Sequence, residues 1–183
     1  MEWVIRGHAH VLGDDIPHDG GVIAFDMVTA RITDPEKIIP HLFAQIDPEL
    51  IHRIQPGDVI VGGKNFLAGK AHNTGLLGMK SLQLTILCES MGVRAFQGVV
   101  ATAIPCLTQC HGIRQFVNNG DELEVNYLTG QVLNLSQNTS ITFPAIDQGV
   151  QKMIEKDGLK GMLIEYLEEH PELRMPLEGK VPQ

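Results

Sequence analysis

The stretch from Gly57 to Ser90, GDVIVGGKNFLAGKAHNTGLLGMKSLQLTILCES, constrains the fold more than any other part of the chain. A short apolar strand, Asp58–Val61, ends in Gly62 and Gly63. A sharp loop containing Gly69 follows, then a helical stretch, then a second apolar strand over Leu84–Cys88. The pattern predicts one β-loop-α-β unit. Its loop carries Lys64, Asn65, Lys70, His72, Asn73 and Thr74 just before the helix. A helix N-terminus has unpaired N–H groups and a partial positive charge, so this turn suits a carboxylate or phosphate.

The flanking segments extend the pattern. Trp3–Leu12 reads as a strand, and Gly13–Gly21 as a polar loop rich in turn formers. Val22–Phe25 reads as a short strand. Asp34 and Pro35 then open a helix as N-cap and first helical residue, with Ile38, Ile39, Leu42 and Phe43 on its apolar face. A further helical turn starts at Asp47-Pro48-Glu49. Beyond Ser90, Gly98–Ala103 reads as a buried segment and Thr108–Asn118 as a short helix. Glu122–Tyr127 and Gln131–Leu135 alternate as an antiparallel hairpin, followed by a strand over Ser140–Phe143. From Ile146 to Leu167 the period is helical, interrupted by Gly158 and Gly161. Strands alternating with helices, then a hairpin, predict an α/β fold: one compact domain over residues 1–170, a mixed sheet flanked by helices, with 171–183 as a loose tail.

Composition narrows the partners. The 183 residues carry a net charge of −8 with acids scattered along the chain, which argues against nucleic-acid binding through a basic face. No apolar run approaches the ~18–20 residues of a membrane span, and the N-terminus lacks a secretory pattern, so the expected location is cytoplasmic. Three cysteines, Cys88, Cys106 and Cys110, make no disulfide framework. Cys106 and Cys110 stand near His111, but their spacing is not that of a paired metal motif, and buried thiols are the expectation.

The order of landmarks resembles a known family. Gly13-Asp14-Asp15-Ile16 with Asp19, then DPEKIIPHLF, PGDVIVGGKNF, a glycine loop, TILCES, RAF, Ile104-Pro105, GDELEV and DGLKGMLIEYL resemble the small subunit, or swivel domain, of the aconitase and isopropylmalate isomerase superfamily. The resemblance covers roughly residues 5–167. It implies a swivelling-type α/β domain that works with a large subunit carrying a [4Fe–4S] cluster. Together they remove and re-add water on a small hydroxy-carboxylic acid. The cysteines here have no cluster pattern, so the resemblance puts the cluster on the partner and no metal on this chain.

The loop departs from the family in its catalytic letters. Where relatives read G-x-G-S-S-R-E after Asn-Phe, this chain reads Leu67-Ala68-Gly69-Lys70-Ala71-His72-Asn73. Lys70 stands at the basic serine, Ala71 at its neighbour, His72 at the arginine and Asn73 at the glutamate. Three readings follow. Lys70 is the base, which requires its pKa of about 10.4 to fall by about 3 or more, roughly 4–5 kcal/mol. Or Lys70 remains a cation that anchors a carboxylate, and His72, with an ordinary pKa near 6.5, takes the proton. Or the turn is structural. The same resemblance implies substrate contacts from Asn65, Gly69, Ala71, Asn73, Asp19 (preceded by His18) and Arg94. The expected activity is that of a hydro-lyase subunit of the isopropylmalate dehydratase type, active only with its large subunit. The alternative is a non-catalytic swivel-domain protein of assembly or regulation that has lost the serine.

Overall fold

The computed structural model describes residues 2–70 and 72–173. Its centre is a seven-stranded mixed sheet in the order β4-β3-β2-β1-β5-β6-β7. The strands are β1 Val4–Val11, β2 Val59–Gly62, β3 Thr85–Cys88, β4 Cys106–Leu107, β5 Glu122–Asn126, β6 Gln131–Asn134 and β7 Thr139–Thr142. β1 to β4 run parallel, with Ala9 opposite Val59 and Val59 opposite Thr85. β1 also pairs antiparallel with β5, and β5, β6 and β7 continue antiparallel. β1 is thus the seam between a parallel half and a meander.

The burial pattern explains the division. β2 and β3 are buried at every position, as parallel strands covered on both faces must be. β5 alternates between buried and half-buried residues, the signature of a sheet with one wetter face. Helices α4 (Thr74–Ser81) and α5 (Val93–Ala101) carry the parallel crossovers β2 to β3 and β3 to β4. The short α2, Pro35–Ile38, is capped by Asp34, whose side chain accepts the Glu36 N–H at 3.1 Å. It packs on α4, where a Cβ at Gly78 would lie 2.7 Å from Ile38 Cγ2, so glycine admits the helix pair. Ile38, Leu42 and Phe43 are fully buried there. Helices α1 (Phe25–Thr29) and α3 (Leu50–Arg53) complete the stretch before β2.

Several elements differ from the sequence reading. Val22–Phe25 is not a strand: Ile23 makes one isolated bridge to Asp19, and Phe25 opens α1. Val22 and Ile23 are apolar because a loop buries them, with Val22 C=O accepting the Phe43 N–H at 2.8 Å. The buried segment at Gly98–Ala103 is the end of α5, which begins earlier, at Val93. Cys106–Leu107 pairs with β3, a two-residue strand too short to leave a periodic signal. The helix expected over Thr108–Asn118 shrinks to α6, Ile113–Phe116, because Gly112 at φ +82° turns the chain just before it. The long C-terminal period divides into α7 (Gln148–Glu155) and α8 (Gly158–Glu169). Gly158, at φ +75°, lets the second helix start where a Cβ would sit 2.2 Å from the Ala101 carbonyl oxygen. Of the expected loose tail, Pro171–Leu173 form one 3-10 turn, and residues 174–183 lie outside the described residues.

Candidate active site

The carboxyl ends of β1, β2 and β3 meet in one place, the usual ligand side of a parallel α/β sheet. The loops that leave them are stitched to one another. Gly63 N–H donates to Gly13 C=O at 3.1 Å, Asp15 N–H to Lys64 C=O at 2.8 Å, and His18 N–H to Ala68 C=O at 3.1 Å. On the other side, Phe66 N–H donates to Ser90 C=O at 3.0 Å and Asn65 N–H to Ser90 Oγ at 2.8 Å. Phe66 is fully buried against Gly62, where any Cβ would meet its ring at 2.6 Å. The Gly62-Gly63 pair is therefore a packing requirement. Asn65 (φ +53°), Leu67 (φ +59°) and Gly69 (φ +102°) all take left-handed conformations that tighten this loop.

The stitching brings His18, Asp19 and His72 together. Asp19 Oδ1 lies 2.6 Å from His18 Nδ1, and Asp19 Oδ2 lies 2.6 Å from His72 Nδ1. The ligating atoms of all three fall within 4.8 Å of one another, the one such group among the described residues. His18 is buried, and its imidazole is held neutral: desolvation lowers its pKa from the ordinary 6.5, outweighing the adjacent Asp19, and His72 adds to the lowering. The His72 side chain keeps 35% of its surface exposed. Beside it, Lys70 and Arg94 share a small pocket with His18, His72, Leu67, Leu76, Ala95 and Gly98. Two cations thus share this pocket with the two imidazoles that Asp19 bridges. The space between them is about 10 Å³, room for one water at most and far below the ~300 Å³ of a typical small-molecule pocket. This chain alone does not enclose a hydroxy acid.

The other expected residues fall as follows. Asn65 fixes the turn, its amide nitrogen donating to Asp15 Oδ1 at 2.8 Å. Gly69 supplies the positive φ, and nothing lies within 4 Å of where its Cβ would be. Asn73 is the N-cap of α4 without a side-chain cap bond, and its Oδ1 leans toward Gly98. Ala71 lies outside the described residues. Arg94 stands in the first turn of α5, exposed at the pocket mouth. His18 was not singled out by the sequence. A histidine beside an aspartate in a glycine-rich loop looks ordinary until the Ala68–His18 backbone bond buries it. Arg114 was also missed; it reaches from α6 to Asp14 Oδ1 at 2.7 Å and to Glu89 at 3.6 Å, bracing the outer side of the same loops. Asp14, which also accepts the Lys64 N–H at 2.8 Å, is held below the usual carboxylate range first by that backbone bond and then by Arg114.

Two other features carry no comparable chemistry. A groove of about 940 Å³ lies at the opposite end of the parallel strands, beside Ile5, Leu84, Thr85, Pro105 and Ile154. Apart from Glu2, its charged residues are already occupied, Arg6 with Glu124 at 2.8 Å, Lys80 with Asp157 at 2.5 Å and Glu155 with the Trp3 indole at 3.1 Å. The three cysteines are buried, as expected, and burial pushes the Cys106 and Cys110 thiols up to about 12 and Cys88 higher still.

No family model matches the chain. Over 160 residues it is 31% identical to the isopropylmalate/citramalate isomerase small subunit of Methanocaldococcus jannaschii, spanning 87% of this chain and 93% of that protein. Over 160 residues it is 29% identical to the 3-isopropylmalate dehydratase small subunit of Clostridium botulinum, spanning 87% of this chain and 97% of that one. The solved structure of a 3-isopropylmalate dehydratase from Methanocaldococcus jannaschii superposes with a TM-score of 0.82 at 21% identity, covering 92% of this chain and 98% of the other. The chain belongs to the family of 3-isopropylmalate dehydratase small subunits.

Proposed function

We propose that this chain works with a large iron–sulfur subunit to dehydrate and rehydrate a small hydroxy-carboxylic acid, and that its own share of the chemistry is one proton transfer and the grip on a carboxylate. The observation that carries this reading is the Asp19 bridge. By holding His72 through Nδ1 at 2.6 Å, Asp19 leaves Nε2 as the nitrogen for chemistry on a ring that shares its pocket with Lys70 and Arg94. Nε2 takes the proton from the carbon next to the substrate carboxylate and returns it in the reverse direction. An imidazolium formed there is stabilised by the Asp19 carboxylate. Lys70 is exposed and placed to grip a carboxylate, and Arg94 offers a planar fork to the same anion. Of the readings open in the sequence, this geometry favours His72 as base and Lys70 as anchor.

In this reading the iron–sulfur centre belongs on the large subunit, since Cys88, Cys106 and Cys110 have no cluster spacing. A pocket of about 10 Å³ supports the same division: the remaining walls around the substrate come from another chain. The test begins with affinity purification of the tagged chain from its native host. Recovery of an iron-containing partner, with hydratase activity on a panel of unsaturated and hydroxy dicarboxylates, is the expected result. A chain that purifies alone, without iron, overturns the proposal. Within an active complex, D19N and H72A should each remove most activity. Full activity in both would leave the alternative of a non-catalytic swivel protein.

A further inference from the structure

His18 is the one member of the site cluster without an assigned task. It is buried, its Nδ1 contacts Asp19, and its Nε2 is buried with no partner among the described residues. These facts determine where its proton sits. A carboxylate oxygen only accepts, so a nitrogen 2.6 Å away must carry hydrogen. Were the proton on Nε2 instead, two lone pairs would face each other at Nδ1 and a buried N–H would be stranded, both costly. A doubly protonated ring is opposed by desolvation, which dominates at this residue. The second observation is Gly75, in the first turn of α4, where a Cβ would stand 3.1 Å from His18 Nε2. Glycine lets the bare nitrogen lie against the positive end of that helix, an environment that disfavours a second proton.

We propose that His18 is a positioning residue: by donating Nδ1–H to one oxygen of Asp19, it turns the other oxygen onto His72 and so selects the His72 tautomer with its proton on Nδ1 and its lone pair on Nε2. The inference rests on the reading of His72 as proton acceptor and adds what makes that acceptor available. Asp19 lies in a short loop between Pro17 and Ile23, and without His18 nothing else described holds its Oδ1. The cluster has the composition of a cation site, but Lys70 and Arg94 border the same pocket and the two contacts have hydrogen-bond length, so a shared carboxylate between two N–H donors is the better account.

The experiment is long-range 1H–15N correlation of the imidazoles in the full 183-residue chain, with His72 assigned by loss of its signals in H72A. The expected wild-type pattern is a protonated Nδ1 and a bare Nε2 on His72. H18L and H18Q both remove the donor at the Nδ1 position, and either should convert His72 to a mixture of tautomers. H18N, whose amide nitrogen stands near the lost Nδ1, should restore the wild-type pattern. In the complex with the large subunit, H18L or H18Q should lower kcat about 10–100-fold with KM little changed, the scale seen when outer partners of functional histidines are removed. A wild-type His72 protonated on Nε2, or a tautomer unchanged in both variants, overturns the proposal. So does stoichiometric Zn²⁺ binding that shifts both imidazoles, which would make the cluster a cation site. The tautomer is read without turnover. A failed assignment of His72 as base, seen as full activity in H72A, is therefore distinguishable from a failed role for His18.

Discussion

Among the described residues, two histidine–aspartate clusters are built from the same groups and differ in their surroundings. At the start of β2, Asp58 is 2% exposed and fully engaged: Oδ1 accepts the His8 N–H at 2.8 Å, while Oδ2 takes the Gln55 N–H at 2.8 Å and faces His10 Nε2 at 2.7 Å. This carboxylate ties β1 to the turn before β2, and its imidazole, 5% exposed, has no route to a ligand. At the other end of the same strands, Asp19 also spends both oxygens on imidazole and backbone-anchored loops, but one of its imidazoles opens onto a pocket with Lys70 and Arg94. A buried, satisfied cluster holds strands. A cluster with one ring opening onto a pocket shared with two cations is what the proposed anion grip and proton transfer need. Neither the pairing of residue types nor an open ring distinguishes them, since His8, 3.7 Å from Asp58, is 59% exposed; the short contact of His72 with Asp19 and the pocket it shares with Lys70 and Arg94 do.

The largest effect should come from taking away that outward ring. H72A, assayed with the large subunit, should lower kcat by about 10²–10⁴, the range for loss of a general base. Its unfolding free energy should change by less than about 1 kcal/mol, because the ring is partly exposed. The reverse holds at the other cluster. D58A leaves His10 buried without its partner and strands two backbone N–H groups, which should cost about 3–5 kcal/mol in urea unfolding. Its activity per folded complex should stay near wild type. If H72A unfolds the chain or D58A removes activity from folded protein, the division between the two clusters breaks.

How much of this was legible in the sequence follows the same line. The β-loop-α-β unit could be read because β2 and β3 are continuous apolar runs bounded by glycine, and the hairpin β5–β6 because it alternates. The Asp34-Pro35 helix start could be read from capping chemistry alone. Val22 and Ile23 misled because a buried loop and a short strand look alike over four residues. In the site, Lys70, His72, Asp19 and Arg94 are marked by their place in the loop order, and the structure sets all four at or beside one pocket. His18 was hidden because its importance is made by a contact across 50 residues of chain, from Ala68 back to the loop after β1. Asn65 was marked by the same loop order, and the structure adds that its amide nitrogen donates to Asp15.

A smaller effect separates grip from proton transfer within the site. R94A and K70A should each raise KM about tenfold or somewhat more, the worth of one hydrogen bond to a charged group, with kcat reduced less than in H72A. Steady-state kinetics across substrate concentration read the split. A K70A variant that loses kcat as fully as H72A would return the lysine to the role of base and narrow the contrast between the two clusters to geometry alone.

The smallest expected effect is on the pH dependence of stability, and it too distinguishes the clusters. His18 is neutral when folded, with its pKa below the ordinary 6.5, chiefly by desolvation. Between that lowered value and about 6.5, the unfolded chain binds a proton that the folded chain does not, so unfolding becomes easier as pH falls. Above about 6.5 both states are neutral at this residue and it contributes no slope. The groups facing it, Asp19 and His72, are removed with it from the comparison only in part, so the measurement should be a difference between wild type and H18N. The wild type should lose up to about 1.4 kcal/mol per pH unit more than H18N across the window below 6.5. Carboxylates such as Asp14 and Asp121, whose pKa values are lowered, add their own loss only at more acidic pH, below about 4. Urea unfolding at pH 7.5, 6.5 and 5.5 separates the two ranges. Identical slopes for wild type and H18N would mean that His18 accepts a proton in the folded chain. Asp19 would then be bridging an imidazolium, and the neutral His18 donor on which the tautomer selection rests would be absent.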